Sequence, residues 1–141
     1  RERIDTPWFG AWSKKASVWQ VIPPVEVMQR LVTLRIHLDD CAADNGPLRV
    51  LPGTHRHGWL DGQVGDWRSR VEEVACEAGS GDVLMMRPLL LHASSPAVVP
   101  SHRRVIHLEY ASDELPGDLE WHERVLPSLP ANDADQCECR E

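Results

Sequence analysis

An all-β domain of the sandwich or jelly-roll kind, with minor helix, is the fold class this sequence predicts, and three observations carry it. Short apolar stretches recur along the chain. They are parted by Gly, Pro and Asn turn signals such as Asn45-Gly46-Pro47 and Pro52-Gly53. The clearest of them alternates with a period of two rather than the helical 3.6.

The elements follow in order. Residues 1–24 carry Trp8, Trp12 and Trp19 among Pro7, Gly10, Ser13 and Pro23-Pro24 with neither period, and read as an irregular packed loop. From Val25 the pattern becomes strand-like, with Thr33, Arg35, His37 and Asp39 on one face and Leu34, Ile36 and Leu38 on the other, so the aliphatic face needs a cover, for which a helix would serve. Asp44 to Pro47 reads as a tight turn, because Asn-Gly tolerates positive φ and proline delays the next strand. Leu48 to Leu51 is the following strand. Residues 55–70, with Gly58, Gly62 and Gly65, read as a long surface loop containing a helical turn. Val71 to Val74, Val83 to Met86, Leu89 to His92 and Arg104 to Tyr110 complete the strands, with Asp82 capping the turn before the second of these. Beyond Trp121 apolar periodicity stops. We expect a single jelly-roll domain over 1–126 and a disordered tail over 127–141.

Composition limits the function. The 141 residues suit one domain, and 42% apolar with 26% charged residues is the balance of a globular protein with a real core. No apolar run approaches the roughly 20 residues of a membrane helix. A net charge of −7, with the basic residues scattered except at Arg103-Arg104, excludes the basic stripe that a phosphate backbone needs, so nucleic acid is not an expected partner. Cys41 and Cys76 lie in apolar surroundings as small core residues, while Cys137 and Cys139 sit in a polar tail and cannot complete a four-ligand zinc site alone. This is no disulfide framework, and a reducing cytoplasm is the expected setting.

Chemistry gathers at His92-Ala93-Ser94 and at Arg103, eleven residues beyond the histidine. An imidazole suits a metal, and a guanidinium fork suits a carboxylate. The motifs Leu38-Asp39-Asp40, Asp44-Asn45-Gly46-Pro47-Leu48, Leu51-Pro52-Gly53-Thr54-His55-Arg56-His57-Gly58, Gly81-Asp82, His92-Ala93-Ser94 and Arg103-Arg104 together resemble the phytanoyl-CoA dioxygenase family, over about Val32 to Trp121. The resemblance implies a double-stranded β-helix that binds Fe(II) and 2-oxoglutarate and hydroxylates a small organic substrate. It makes His92 the distal iron ligand, Arg103 the clamp on the far carboxylate of 2-oxoglutarate and Ser94 a second contact to that carboxylate. Arg104 would point to the opposite face.

The family's His-x-Asp precedes the strand ending in Leu38-Asp39-Asp40, and no histidine occurs between Arg1 and Arg30. The chain opens on Arg1 and reads as an N-terminally truncated barrel. His37-Leu38-Asp39 spells His-x-Asp and could join His92 as a metal triad; by the family's order it lies one strand to the side, which favours cavity lining. The polar face of Thr33, Arg35 and His37 is the candidate substrate lining. His55 and His57 read as turn and surface residues. The three tryptophans could frame a substrate mouth, although large aromatics more often simply pack. Two further readings stand beside the oxygenase. One is a truncated or degenerate relative without the iron site, acting as scaffold or small-ligand binder. The other is a cupin-like metalloprotein built on His37, Asp39 and His92. A shortened barrel would expose a sheet edge, so a homodimer covering that edge is expected.

Overall fold

The structure is a computed structural model and describes residues 6–122 and 124–125. Among the described residues eight strands are present: β1 (Trp12–Lys15), β2 (Val18–Val21), β3 (Leu31–His37), β4 (Leu48–Val50), β5 (Val74–Cys76), β6 (Val83–Met86), β7 (His92–Ser94) and β8 (Val105–Ala111). Two short α-helices, α1 (Val25–Met28) and α2 (Val64–Arg70), and two 3-10 turns, Ala43–Asn45 and Thr54–His57, complete the described part. The tail expected over 127–141, with Cys137 and Cys139, lies outside the described residues.

Two three-stranded antiparallel sheets, in the orders β6-β3-β8 and β5-β4-β7, form the body. Residues directly opposite in an antiparallel pair share a face. Thr33 lies opposite Met86 and Glu109, Arg35 opposite Leu84 and His107, and His37 opposite Val105. In the other sheet Leu48 lies opposite Cys76 and Ser94, and Val50 opposite Val74 and His92. The two faces meet where Leu48, Val50 and Met86 pack together with Cys76, Leu84 and Leu90. This is the all-β, jelly-roll architecture expected from the alternating pattern, and the polar face of β3 is the inward one.

Four details differ from the sequence reading. Residues 12–21 form a hairpin rather than an irregular loop, turning through Ala16 (φ 47°) and Ser17 (φ 69°). Positive φ at both turn positions matches the twist of the strands, but no Asn-Gly announces it here. Trp12 and Trp19 meet edge to face at 6.4 Å on that hairpin, so these two pack on each other, while Trp8 is exposed. The stretch 55–70 is better ordered than a loop: Thr54–His57 is a 3-10 turn, α2 follows, and the His57 ring lies 4.5 Å from Trp67. The strand expected from Val71 begins at Val74, and that expected from Leu89 begins at His92. Finally, the aliphatic outer face of β6-β3-β8 is left open: Val83, Met85, Ile106, Leu108 and Tyr110 are exposed, Met85 by 70%.

Candidate functional site

Asn45-Gly46 does not close a hairpin. It carries the chain from β3 in one sheet to β4 in the other, and Gly46 adopts the left-handed conformation (φ 65°) that only glycine takes without strain. Around this crossing the β7–β8 loop is fastened at successive points. The Asp44 carbonyl accepts from the amides of Val98 (2.7 Å) and Val99 (3.2 Å). The buried Asn45 side chain donates to Ser101 Oγ (2.7 Å) and to the His102 carbonyl (3.3 Å), and accepts from the Ser101 amide (3.2 Å). Arg103 Nη1 then donates to the carbonyls of Asn45 (3.0 Å) and Gly46.

That fixing leaves Arg103 able to act. A guanidinium has five N–H groups, and Nη1 holds two of them. No hydrogen bond from Nε or Nη2 of Arg103 is formed among the described residues, and those two nitrogens form one of the edges that grip a carboxylate in parallel. Gly46 also lies against the Ser95 carbonyl, so the crossing brings Arg103 beside the residue that follows Ser94.

His92 sits on β7 with its side chain on the inward face, exposed to solvent. Its Nδ1 lies 2.7 Å from the Leu90 carbonyl, which can only accept, so Nδ1 donates and, in the neutral ring, Nε2 is the nitrogen left with a lone pair for a metal. The backbone before it is pinned by Thr54, fully buried, whose Oγ1 donates to the Leu51 carbonyl (2.8 Å) and accepts from the Leu91 amide (3.0 Å). The Pro-Gly-Thr-His motif thus holds the histidine strand in place, while His55 and His57 stay on the 3-10 turn.

Iron asks for more than His92. Among the described residues no group of three or more His, Cys, Asp or Glu side chains converges to hold a metal. His37 and Asp39 do not join it. Asp39 is gripped by Arg104 through Nε (2.9 Å), Nη2 (2.8 Å) and the backbone amide (2.7 Å), and hydrogen bonds from that side chain hold its carboxyl well below the usual carboxylate range. Arg104 thus turns to Asp39 while Arg103 turns to the 45–46 crossing. With no such group of three among the described residues, His92 does not stand in a complete iron centre here.

The inward face of β3 and β8 is polar. Arg35 Nη1 lies 3.4 Å from His107 Nδ1, and His107 Nε2 lies 3.6 Å from Glu109. Thr33 and His37 are 1% and 2% exposed, yet Thr33 Oγ1, both His37 ring nitrogens and Arg35 Nε have no partner. A concavity of about 270 Å³ between α1 and the segment after β8 lies elsewhere and is lined by residues such as Pro24, Arg30, Leu31 and Trp121. Sequence reasoning missed Asn45 as a positioning residue and Thr54 as the anchor of His92. Asn-Gly and Gly-Thr could be read only as turns until their distant partners were known.

A family model described as phytanoyl-CoA dioxygenase matches residues 6–105. Among solved structures, EctD from S. alaskensis with bound Fe superposes with a TM-score of 0.54 at 26% identity, covering 59% of this chain and 32% of that one. AviO1 from Streptomyces viridochromogenes Tue57 gives 0.55 at 30% identity, covering 79% and 48%, and EvdMO1 gives 0.54 at 28%, covering 74% and 23%. EctD has also been solved with 2-oxoglutarate and 5-hydroxyectoine. The chain thus spans less than half the length of each of these structures. No curated protein matches it.

Proposed function

Because this chain belongs to the phytanoyl-CoA dioxygenase family, whose fold it shares with iron- and 2-oxoglutarate-bound neighbours, we propose that it seats 2-oxoglutarate and a small organic substrate for hydroxylation. The observation that carries this is the anchored Arg103, with Nη1 spent on the 45–46 crossing and no hydrogen bond formed by its Nε/Nη2 edge among the described residues. In this reading that edge grips the far carboxylate of the co-substrate, Ser94 adds a hydroxyl contact, and Thr33, Arg35 and His37 line the substrate's place. His92 would give iron one donor. When bound, the iron supplies the oxidising chemistry, and the protein's part is orientation and exclusion of water.

A second reading is favoured by one observation, the lack of a converging donor set among the described residues: a family member that binds small ligands without catalysis. Anaerobic titration with Fe(II) and 2-oxoglutarate separates the two. A visible charge-transfer band that saturates at one iron per chain and vanishes in Arg103→Ala supports the oxygenase. Binding of 2-oxoglutarate without any band supports the binder.

Two further parts belong to this proposal. Cys41 and Cys76 are free thiols, which supports a reducing cytoplasm, and no helix among the described residues is long and apolar enough to cross a membrane. A homodimer is supported by β7 and β8, each paired along one edge only among the described residues. A monomer in sedimentation at high concentration would remove the dimer.

A further inference from the structure

We propose that the inward face of β3 and β8 binds an oxyanion, a carboxylate or phosphate group carried by the organic substrate, and that Arg35 is its principal ligand with Thr33 and His37 beside it. The proposal rests on the reading of this face as the substrate's place, and it names what that substrate must carry.

Four polar atoms are buried here without partners: Thr33 Oγ1, Arg35 Nε and both ring nitrogens of His37. Two of their side chains are almost wholly enclosed, Thr33 at 1% and His37 at 2% exposure. Buried polar groups are nearly always hydrogen-bonded, so a set of orphans sharing one face marks a missing ligand. Strand register places all three residues on that face, opposite Met86, Leu84, Val105, His107 and Glu109.

Their chemistry defines the ligand. A guanidinium only donates, a neutral imidazole offers one donor and one acceptor, and a hydroxyl can donate. Donors therefore exceed acceptors, and the fixed charge of Arg35 is not met by a recorded ion pair to a carboxylate among the described residues. Glu109 lies 3.6 Å from Nε2 of His107, while Arg35 lies by Nδ1 of the same ring. If Nδ1 accepts from Arg35, Nε2 keeps the proton and faces Glu109, so the imidazole orients the guanidinium instead of neutralising it. A water could satisfy Thr33 or His37 but would leave the charge of Arg35 uncompensated, and a metal cation would be repelled by it. An acceptor-rich anion answers both demands.

The principal ligand of this site is offset along the strand from the carboxylate seat at Arg103. His107, the neighbour of Arg35, lies four residues along the chain from Arg103, on the order of 13 Å at extended-strand spacing. A ligand at one need not displace a ligand at the other.

The test uses the chain with neither iron nor 2-oxoglutarate present. Inorganic phosphate and, separately, acetate are titrated while NMR follows the Cε1–H resonances of His37 and His107, in the parent chain and in Arg35→Gln, Thr33→Val and Arg103→Gln. Saturable shifts are expected with at least one anion. The Kd should weaken at least about tenfold in Arg35→Gln, less in Thr33→Val, and little in Arg103→Gln. Thr33→Val keeps the volume of the core, so it reports on binding even where Arg35→Gln does not fold. A response to phosphate alone identifies a phosphate ester, and a response to acetate a carboxylate. Absence of saturable shifts with both anions, or shifts lost in Arg103→Gln but kept in Arg35→Gln, would overturn the proposal. The co-substrate reading stands or falls separately, because neither iron nor 2-oxoglutarate enters this experiment.

Discussion

The backbone carbonyl of Asn45 accepts a hydrogen bond from Arg103 at 3.0 Å, across 58 residues of sequence. The side chain of the same asparagine, 4% exposed, holds Ser101 and His102, so one residue fixes both the loop leading to the arginine and the arginine itself. Asn45→Ala is expected to leave the Ser101 amide without its partner and to lower stability by about 1–3 kcal/mol, read from urea unfolding. 2-Oxoglutarate affinity should fall with it. Unchanged stability and affinity would mean that the loop is seated by something else.

Gly46 and Gly53 form a matched pair. Both have positive φ, 65° and 85°, so alanine at either carries the left-handed penalty of about 1–2 kcal/mol. At Gly53 the added methyl meets nothing within 4 Å, whereas at Gly46 it falls 2.6 Å from Arg103 Nη1 and against the Ser95 carbonyl. Gly46→Ala should therefore destabilise clearly more than Gly53→Ala in thermal unfolding, and it alone should weaken 2-oxoglutarate binding. Equal losses would show that the crossing has room to give.

The ion pair of Asp39 with Arg104 sets an acid limb. Hydrogen bonds from Arg104 lower the folded-state carboxyl pKa below its unfolded value, so the stabilisation is present in full above that value, near 3.9, and is lost as pH falls below it toward the folded pKa. Melting temperatures of the parent chain and Asp39→Asn should converge as pH drops from about 5 to 2. A constant gap over that range would place the carboxyl's influence elsewhere.

Thr54→Val keeps the shape of a fully buried side chain and deletes two hydrogen bonds, leaving the Leu91 amide and Leu51 carbonyl without that partner. A loss of about 1–3 kcal/mol is expected. Faster amide exchange should follow at Leu91, next to His92. Exchange unchanged there would separate the motif from the histidine strand.

How much of this could be read beforehand follows from the range of each interaction. The period-two alternation of β3 gave the fold class and the inward face, because alternation is local. The roles expected of His92, Ser94 and Arg103 came from a combination of motifs, and the structure adds a carbonyl partner for His92 Nδ1 and an anchor for Arg103. Asn45 and Thr54 were legible only as turn residues, since what they hold lies decades of residues away. The hairpin at Ala16-Ser17 was hidden because neither residue is a usual bearer of positive φ. His107 and Glu109 could be placed on a face by alternation, but their alignment with Arg35 needed the register of β3 with β8.

Under the proposed function Arg103, and not its neighbour Arg104, holds the co-substrate. Isothermal titration of 2-oxoglutarate into the parent chain, Arg103→Ala and Arg104→Ala tests it directly. The expected result is saturable binding that disappears in Arg103→Ala and persists in Arg104→Ala, whose side chain is committed to Asp39. Binding that survives the first substitution and disappears with the second would contradict the account.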